Sequence, residues 1–113
     1  MVVSMTSYLE QSKELQVVLK TAFETGMIAE TLEALAKLAV IMAQFGKTSE
    51  AAEAVSYVMQ HPDVPYDIYD RAEDVFLDLE THLCPRVLSD AKVTATYRTL
   101  RSAVEAALSV TVD

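Results

Sequence analysis

Ala34-Leu35-Ala36-Lys37-Leu38-Ala39-Val40-Ile41-Met42-Ala43-Gln44-Phe45 is the stretch on which the fold turns. Ten of its twelve residues are apolar, interrupted only by Lys37 and Gln44. A helix resting on one neighbour shows a single apolar stripe. One that is apolar nearly all round has to be covered from more than one side. The run therefore predicts a helix over 28–45 that lies sandwiched between others. Gly26 and Gly46 each follow a helical run, as helix-ending glycines do, because glycine takes the left-handed conformation without strain.

The remaining helices follow on either side. Ser7-x-x-Glu10 reads as a capping box, in which each side chain bonds the other residue's backbone N–H. Tyr8, Leu15, Val18, Leu19, Ala22 and Phe23 then recur at helical spacing, so a first helix spans 7–25. A third, 48–61, begins at Thr48, has Glu50 and Glu53 near its positive end, and buries Ala51, Ala52, Val55, Val58 and Met59. His61-Pro62-Asp63 closes it. Pro65 and Pro85 read as first-turn prolines, whose missing N–H costs nothing there, opening helices over 65–83 and 86–97. The fourth carries Tyr69, Ala72, Phe76, Leu79 and Leu83 at three-and-four spacing. Thr99 caps a last helix, 99–109, with Leu100, Ala103, Val104, Ala107 and Leu108. The β-branched Thr94 and Thr96 weaken the fifth, so the count is five or six. Short connections make successive helices antiparallel neighbours. The expected architecture is a single all-α domain, 1–113, of stacked antiparallel hairpins forming a short α-solenoid; a closed four-helix bundle is the alternative.

Composition narrows the function classes. The chain has 113 residues, 51% hydrophobic and 23% charged, with two glycines and three prolines. That is too apolar for disorder and too poor in turn residues for a sandwich, a barrel or a glycine-loop nucleotide fold. One cysteine, Cys84, excludes an internal disulfide and fits a reducing compartment. No uncharged run exceeds nine residues, far short of the ~20 that span a bilayer, and no signal-peptide pattern is present. A cytoplasmic protein is expected. Its net charge is −8, and all of it sits in residues 50–83, with nine acids against Arg71 alone. Such a surface repels phosphate backbones, so direct nucleic-acid binding is not expected.

Leu35-x-x-Leu38-Ala39-x-x-Met42-x-x-x-Gly46, followed by Ala51-x-x-x-Val55-x-x-Val58 and Pro62, resembles one tetratricopeptide repeat. Leu35 and Leu38 stand at that family's large apolar positions, and Ala39 keeps a small residue where glycine is preferred. Met42 stands where an aromatic is usual, Gly46 marks the turn, and Ala51 holds the small position of the second helix. Small residues at a crossing let helices approach closely while large ones fill the gaps. The run from Glu50 to Val87, with Met59-x-His61-Pro62 and Arg71-Ala72…Leu79-Glu80-x-x-Leu83-x-Pro85, is similar to the C-terminal repeat arm of large bacterial ATP-binding transcriptional regulators of the LuxR and antibiotic-regulator type. The repeat resemblance implies a concave, partner-binding surface lined by the first helix of the repeat, which here names Glu33, Ala36, Val40, Ala43 and Gln44.

Asp67, Asp70, Asp74 and Asp78 fall at i, i+3, i+7 and i+11, one acidic stripe along the fourth helix flanked by Glu73 and Glu80. It reads as a hydrated outer face or as a landing strip for a basic partner; a Ca²⁺ site would want a converging loop with glycine. Asp78, His82 and Cys84 lack the second pair of ligands that a tetrahedral zinc site needs. His61 reads as a helix-end residue. Cys84 has no base suitably placed to make it a nucleophile, and no triad spacing or phosphate loop occurs, so no enzyme activity, metal or cofactor is expected. Tyr57, Tyr66 and Tyr69 read as packing residues or as partner anchors.

These readings combine into a non-catalytic protein–protein interaction and scaffolding module, the sensing or oligomerisation arm of a transcriptional regulator in the resemblance. Its expected partners are a protein or peptide, basic in character, and a second copy bound through the N-terminal hairpin 7–45 as a homodimer. The alternative is a helical bundle holding an apolar small molecule in a pocket of Met27, Met42, Phe45, Met59 and Phe76, since methionine adapts to ligands as readily as it fills cores.

Overall fold

The same glycine turn, used twice, sets the first three helices. In a computed structural model, which describes residues 8–110, the chain forms α1 (Tyr8–Glu24), α2 (Ile28–Gln44), α3 (Thr48–Gln60), α4 (Tyr66–Glu80), α5 (Pro85–Thr96) and α6 (Leu100–Leu108). Gly26 and Gly46 sit at φ 76° and 84°. After α1, Gly26 N–H donates to Phe23 O at 3.1 Å and Met27 N–H to Ala22 O at 2.9 Å; after α2, Gly46 N–H donates to Ala43 O at 3.1 Å and Lys47 N–H to Met42 O at 2.8 Å. Both are Schellman-type endings that satisfy the last carbonyls and reverse the chain within three residues. Neither Met27 nor Lys47 caps the next helix with its side chain. Instead Glu30 and Glu50 lie in the first turns, where the helix dipole favours negative charge.

The later boundaries follow from other local chemistry. Pro85 opens α5, while Pro65 stands one residue before α4 and its carbonyl accepts from Ile68 and Tyr69 N–H. α4 ends at Glu80, three residues short of the expected Leu83, where the chain tightens into i→i−3 turns: Thr81 N–H donates to Asp78 O and His82 N–H to Leu79 O. α6 is separate from α5 and starts with a reciprocal capping box: Ser102 N–H donates to Thr99 Oγ1 at 3.1 Å, and Thr99 N–H to Ser102 Oγ at 2.9 Å. The Ser7 half of the expected first capping box lies outside the described residues.

The packing is all-α, with α1, α2, α3 and α4 as sequential antiparallel neighbours. α2 touches α1, α3, α4 and α6, and beyond its first residue only Glu30, Lys37, Val40 and Gln44 are exposed. The sandwiched rod is present. α3 is likewise covered by four helices, α2, α4, α5 and α6, and buries Ala51, Ala52, Val55, Ser56, Tyr57 and Val58, leaving Ser49, Glu50 and Gln60 exposed. α5 lies mainly on α3 and touches α4 more lightly, where Lys92 Nζ stands 5.0 Å from the centre of the Phe76 ring. α6 returns to pack Ala103, Val104 and Ala107 near α1, α2 and α3. Two cations pin this return: Arg98 to Glu53 at 3.2 Å, and Arg101 over the Phe23 ring at 5.4 Å. Among the described residues no helix is long and apolar enough to cross a membrane.

Two stability effects follow. A Cβ at Gly46 would meet nothing within 4 Å, so Gly46→Ala is opposed by backbone conformation alone. It should cost ~1–2 kcal/mol, read as a lower urea midpoint at unchanged slope. Ser56 is 1% exposed and its hydroxyl has no hydrogen-bond partner. Replacing such a group with a similar-sized apolar one removes a desolvation penalty, so Ser56→Ala should stabilise by ~1 kcal/mol and raise the thermal midpoint.

Candidate functional site

The two sequence features expected to meet a partner belong to different helices, and the fold brings them together. α2 leaves one strip uncovered, and α4 runs beside it. Between them is an open groove of about 480 Å³. Its α2 wall is Val40, Ala43 and Gln44; its α4 wall is Asp74, Val75, Asp78 and Leu79; Thr48 and His82 close one end. Its aliphatic floor is graded: Leu79 is buried at 2% exposure, Ala43 and Val75 are half-buried, and Val40 is open at 36%. Asp74 and Asp78 are exposed on its rim. His82 is held at the end of the groove, with Nδ1 3.0 Å from Asp78 O and 2.9 Å from Thr81 Oγ1.

The expected residues divide. Val40, Ala43, Gln44, Asp74 and Asp78 line the groove. Glu33 lies farther along α2, 3.7 Å from both Lys37 Nζ and Arg71 NH1. All three of these side chains are substantially exposed, which makes the pairs weak, yet the Glu33–Arg71 contact bridges α2 and α4. Asp67 and Asp70 are exposed on α4 but do not line the groove. Ala36 requires a correction. It is 0% exposed, since α2 turns this position into the helix packing, and it offers a partner nothing.

The groups set aside for other chemistry are dispersed. Among the described residues no three of His, Cys, Asp and Glu form a cluster suited to a metal ion. Cys84 is exposed just before α5. Tyr57 is buried, edge-on to His61 at 5.9 Å, and burial pushes its hydroxyl pKa up from the ordinary 10.0. Tyr69 is half-buried, whereas Tyr66 is 80% exposed. Tyr97, 84% exposed after α5, was not singled out, because its position at a helix end carries no periodic signal. Tyr8 packs edge-on against Phe45 at 5.7 Å, and burial raises its hydroxyl pKa as well.

Of the five residues of the alternative pocket, Met42 and Phe76 belong to the hydrophobic core, Phe45 and Met59 pack against it, and Met27 stands apart. Met27 is 47% exposed after α1, Phe45 meets Tyr8, and Phe76 lies under Lys92. Met42 is buried and borders a recess of about 30 Å³ beside α6, little more than the space of one water molecule. None of the five lines the α2–α4 groove.

No known family, curated protein or solved structure matches the chain. The resemblances to a tetratricopeptide repeat and to a regulator arm thus stand on the residues that carry them, and the groove carries the functional argument.

Proposed function

We propose that this chain is a non-catalytic protein-interaction module, a short stack of helical hairpins that docks a partner in the α2–α4 groove. One observation supports the reading above others: Val40, Ala43 and Gln44, drawn from one helix, and Asp74 and Asp78, drawn from another, line a single concave surface. Clefts of ~300–1,000 Å³ with an apolar floor and a few polar groups are where proteins commonly take ligands. One between two helices suits an inserted segment. The contacts of α2 with α4 and of α3 with α5 support the stacked-hairpin reading, and α6 touches α1, α2 and α3. In this reading the module is the sensing or oligomerisation arm of a transcriptional regulator, and a contiguous ATPase-like segment in its reading frame would support that placement.

The docking surface is tested by NMR titration with three synthetic helical peptides that share one apolar spacing and carry Lys, Gln or Glu at the flanking positions. At least one should shift backbone resonances of Val40, Ala43, Val75 and Leu79. Val40→Glu, a change at a partly exposed site, should abolish the shifts while the rest of the spectrum stays native. Perturbations that map elsewhere, or none with any peptide, would refute the reading.

Self-association through the N-terminal hairpin belongs to the same proposal. Leu9, Val17, Val18, Met27, Ile28 and Val40 are its large exposed apolar residues, at 63%, 59%, 45%, 47%, 38% and 36%. Sedimentation velocity at high micromolar concentration should show a dimer, and Val17→Glu with Met27→Glu should return it to monomer. A strictly monomeric profile of the parent chain would end this part of the reading.

A further inference from the structure

We infer that the occupant of the groove is a basic amphipathic helix of a partner protein, whose apolar face lies on Val40, Ala43 and Val75 and whose Lys or Arg side chains reach Asp74 and Asp78. The inference rests on the docking reading above and names the partner's chemistry. An apolar floor beside an unbalanced acidic rim is complementary to a ligand that is apolar on one flank and positive on the next. Among the described residues neither Asp74 nor Asp78 makes an ion pair; the cation of α4, Arg71, is directed to Glu33 instead. Asp70–Asp74 and Asp74–Asp78 are i,i+4 like-charge pairs, which destabilise a helix on their own. A cation brought to the rim relieves that repulsion as well as gaining its own attraction, so a basic ligand gains more than a neutral one of the same shape.

A helical occupant matches the spacing of the rim. At ~1.5 Å rise per residue, Asp74 and Asp78 stand ~6 Å apart along α4. Cations at i and i+4 of a partner helix have that same spacing. Apolar residues one turn apart on its other flank then meet Val40 and Ala43, which are themselves about one turn apart on α2. Exposed ion pairs are individually weak, so the floor supplies most of the affinity. The rim supplies selectivity, faster association and sensitivity to salt.

Fluorescence anisotropy with the Lys, Gln and Glu peptides tests this on the full chain and on an Asp74→Asn, Asp78→Asn variant. Both positions are exposed, and an unchanged NMR spectrum outside the groove confirms folding. The Lys peptide should bind roughly fivefold or more tighter than the Gln peptide at low salt. The Glu peptide should bind most weakly, and the double substitution or high salt should remove the Lys advantage. Equal binding of Lys and Gln peptides, or a Lys preference that survives the double substitution, overturns the basic-helix inference and leaves the docking reading standing. If none of the peptides binds, both fall.

Discussion

The structure depends on two adjacent helices being buried almost all round at once. α2 has Leu32, Ala36, Leu38 and Ala39 at 0% exposure, and α3 has Ala51, Ala52, Val55 and Val58 at 0%. Small residues make this possible, because several helices can approach one rod only if its surface is thin where they cross. The glycine turn at Gly46 holds the two rods antiparallel and adjacent. Each further helix then has a defined place: α1 beside α2, α4 against both, α5 on α3, and α6 across α1–α3. The groove is a consequence of this order. With its other flanks occupied, α2 keeps only its Glu30–Lys37–Val40–Gln44 strip open, and α4 borders part of that strip.

Much of the local structure was legible because it is written in local chemistry. The positive φ of Gly26 and Gly46, the proline that starts α5 and the hydroxyl exchange at Thr99 each act within a few residues. The apolar surplus of 34–45 foretold a doubly covered helix. The enclosure of α3 was harder to read, because alanine, serine and tyrosine are ambiguous in composition. A small residue can be solvated or can lie at a close crossing, and only the neighbours decide. Ala36 misled for a related reason. A resemblance assigns a position to a concave face, but the face of a helix that is open depends on which partners cover it.

The candidate site was legible in halves. Val40, Ala43 and Gln44 came from one signal, and Asp74 and Asp78 from another more than thirty residues away, and nothing local joins them. Their meeting is set by how α4 docks beside α2, which is a long-range property of the core. The return of α6 is of the same kind. The spacing of Ala103, Val104 and Ala107 predicts an apolar face, but the same spacing would serve against any neighbour. What selects its place includes Arg98 meeting Glu53 and Arg101 meeting Phe23, contacts between residues remote in sequence.

The placement of the cations bears on the proposed basic partner. A chain with net charge −8 has few bases with which to balance its own carboxylates. Lys92 is committed to the Phe76 ring, Arg98 to Glu53, Arg101 to Phe23, and Arg71 and Lys37 share Glu33. Apart from the Lys37–Glu33 pair within α2, these contacts hold α6 and α5 to the core or link α2 to α4, and none of them neutralises Asp74 or Asp78. The internal cations therefore stabilise the arrangement that forms the groove while its rim stays negative. A hydrated acidic face alone would need no apolar floor beside it, and an apolar floor alone would gain nothing from repelling carboxylates at its edge. A ligand that is apolar on one side and positive on the other satisfies both surfaces together.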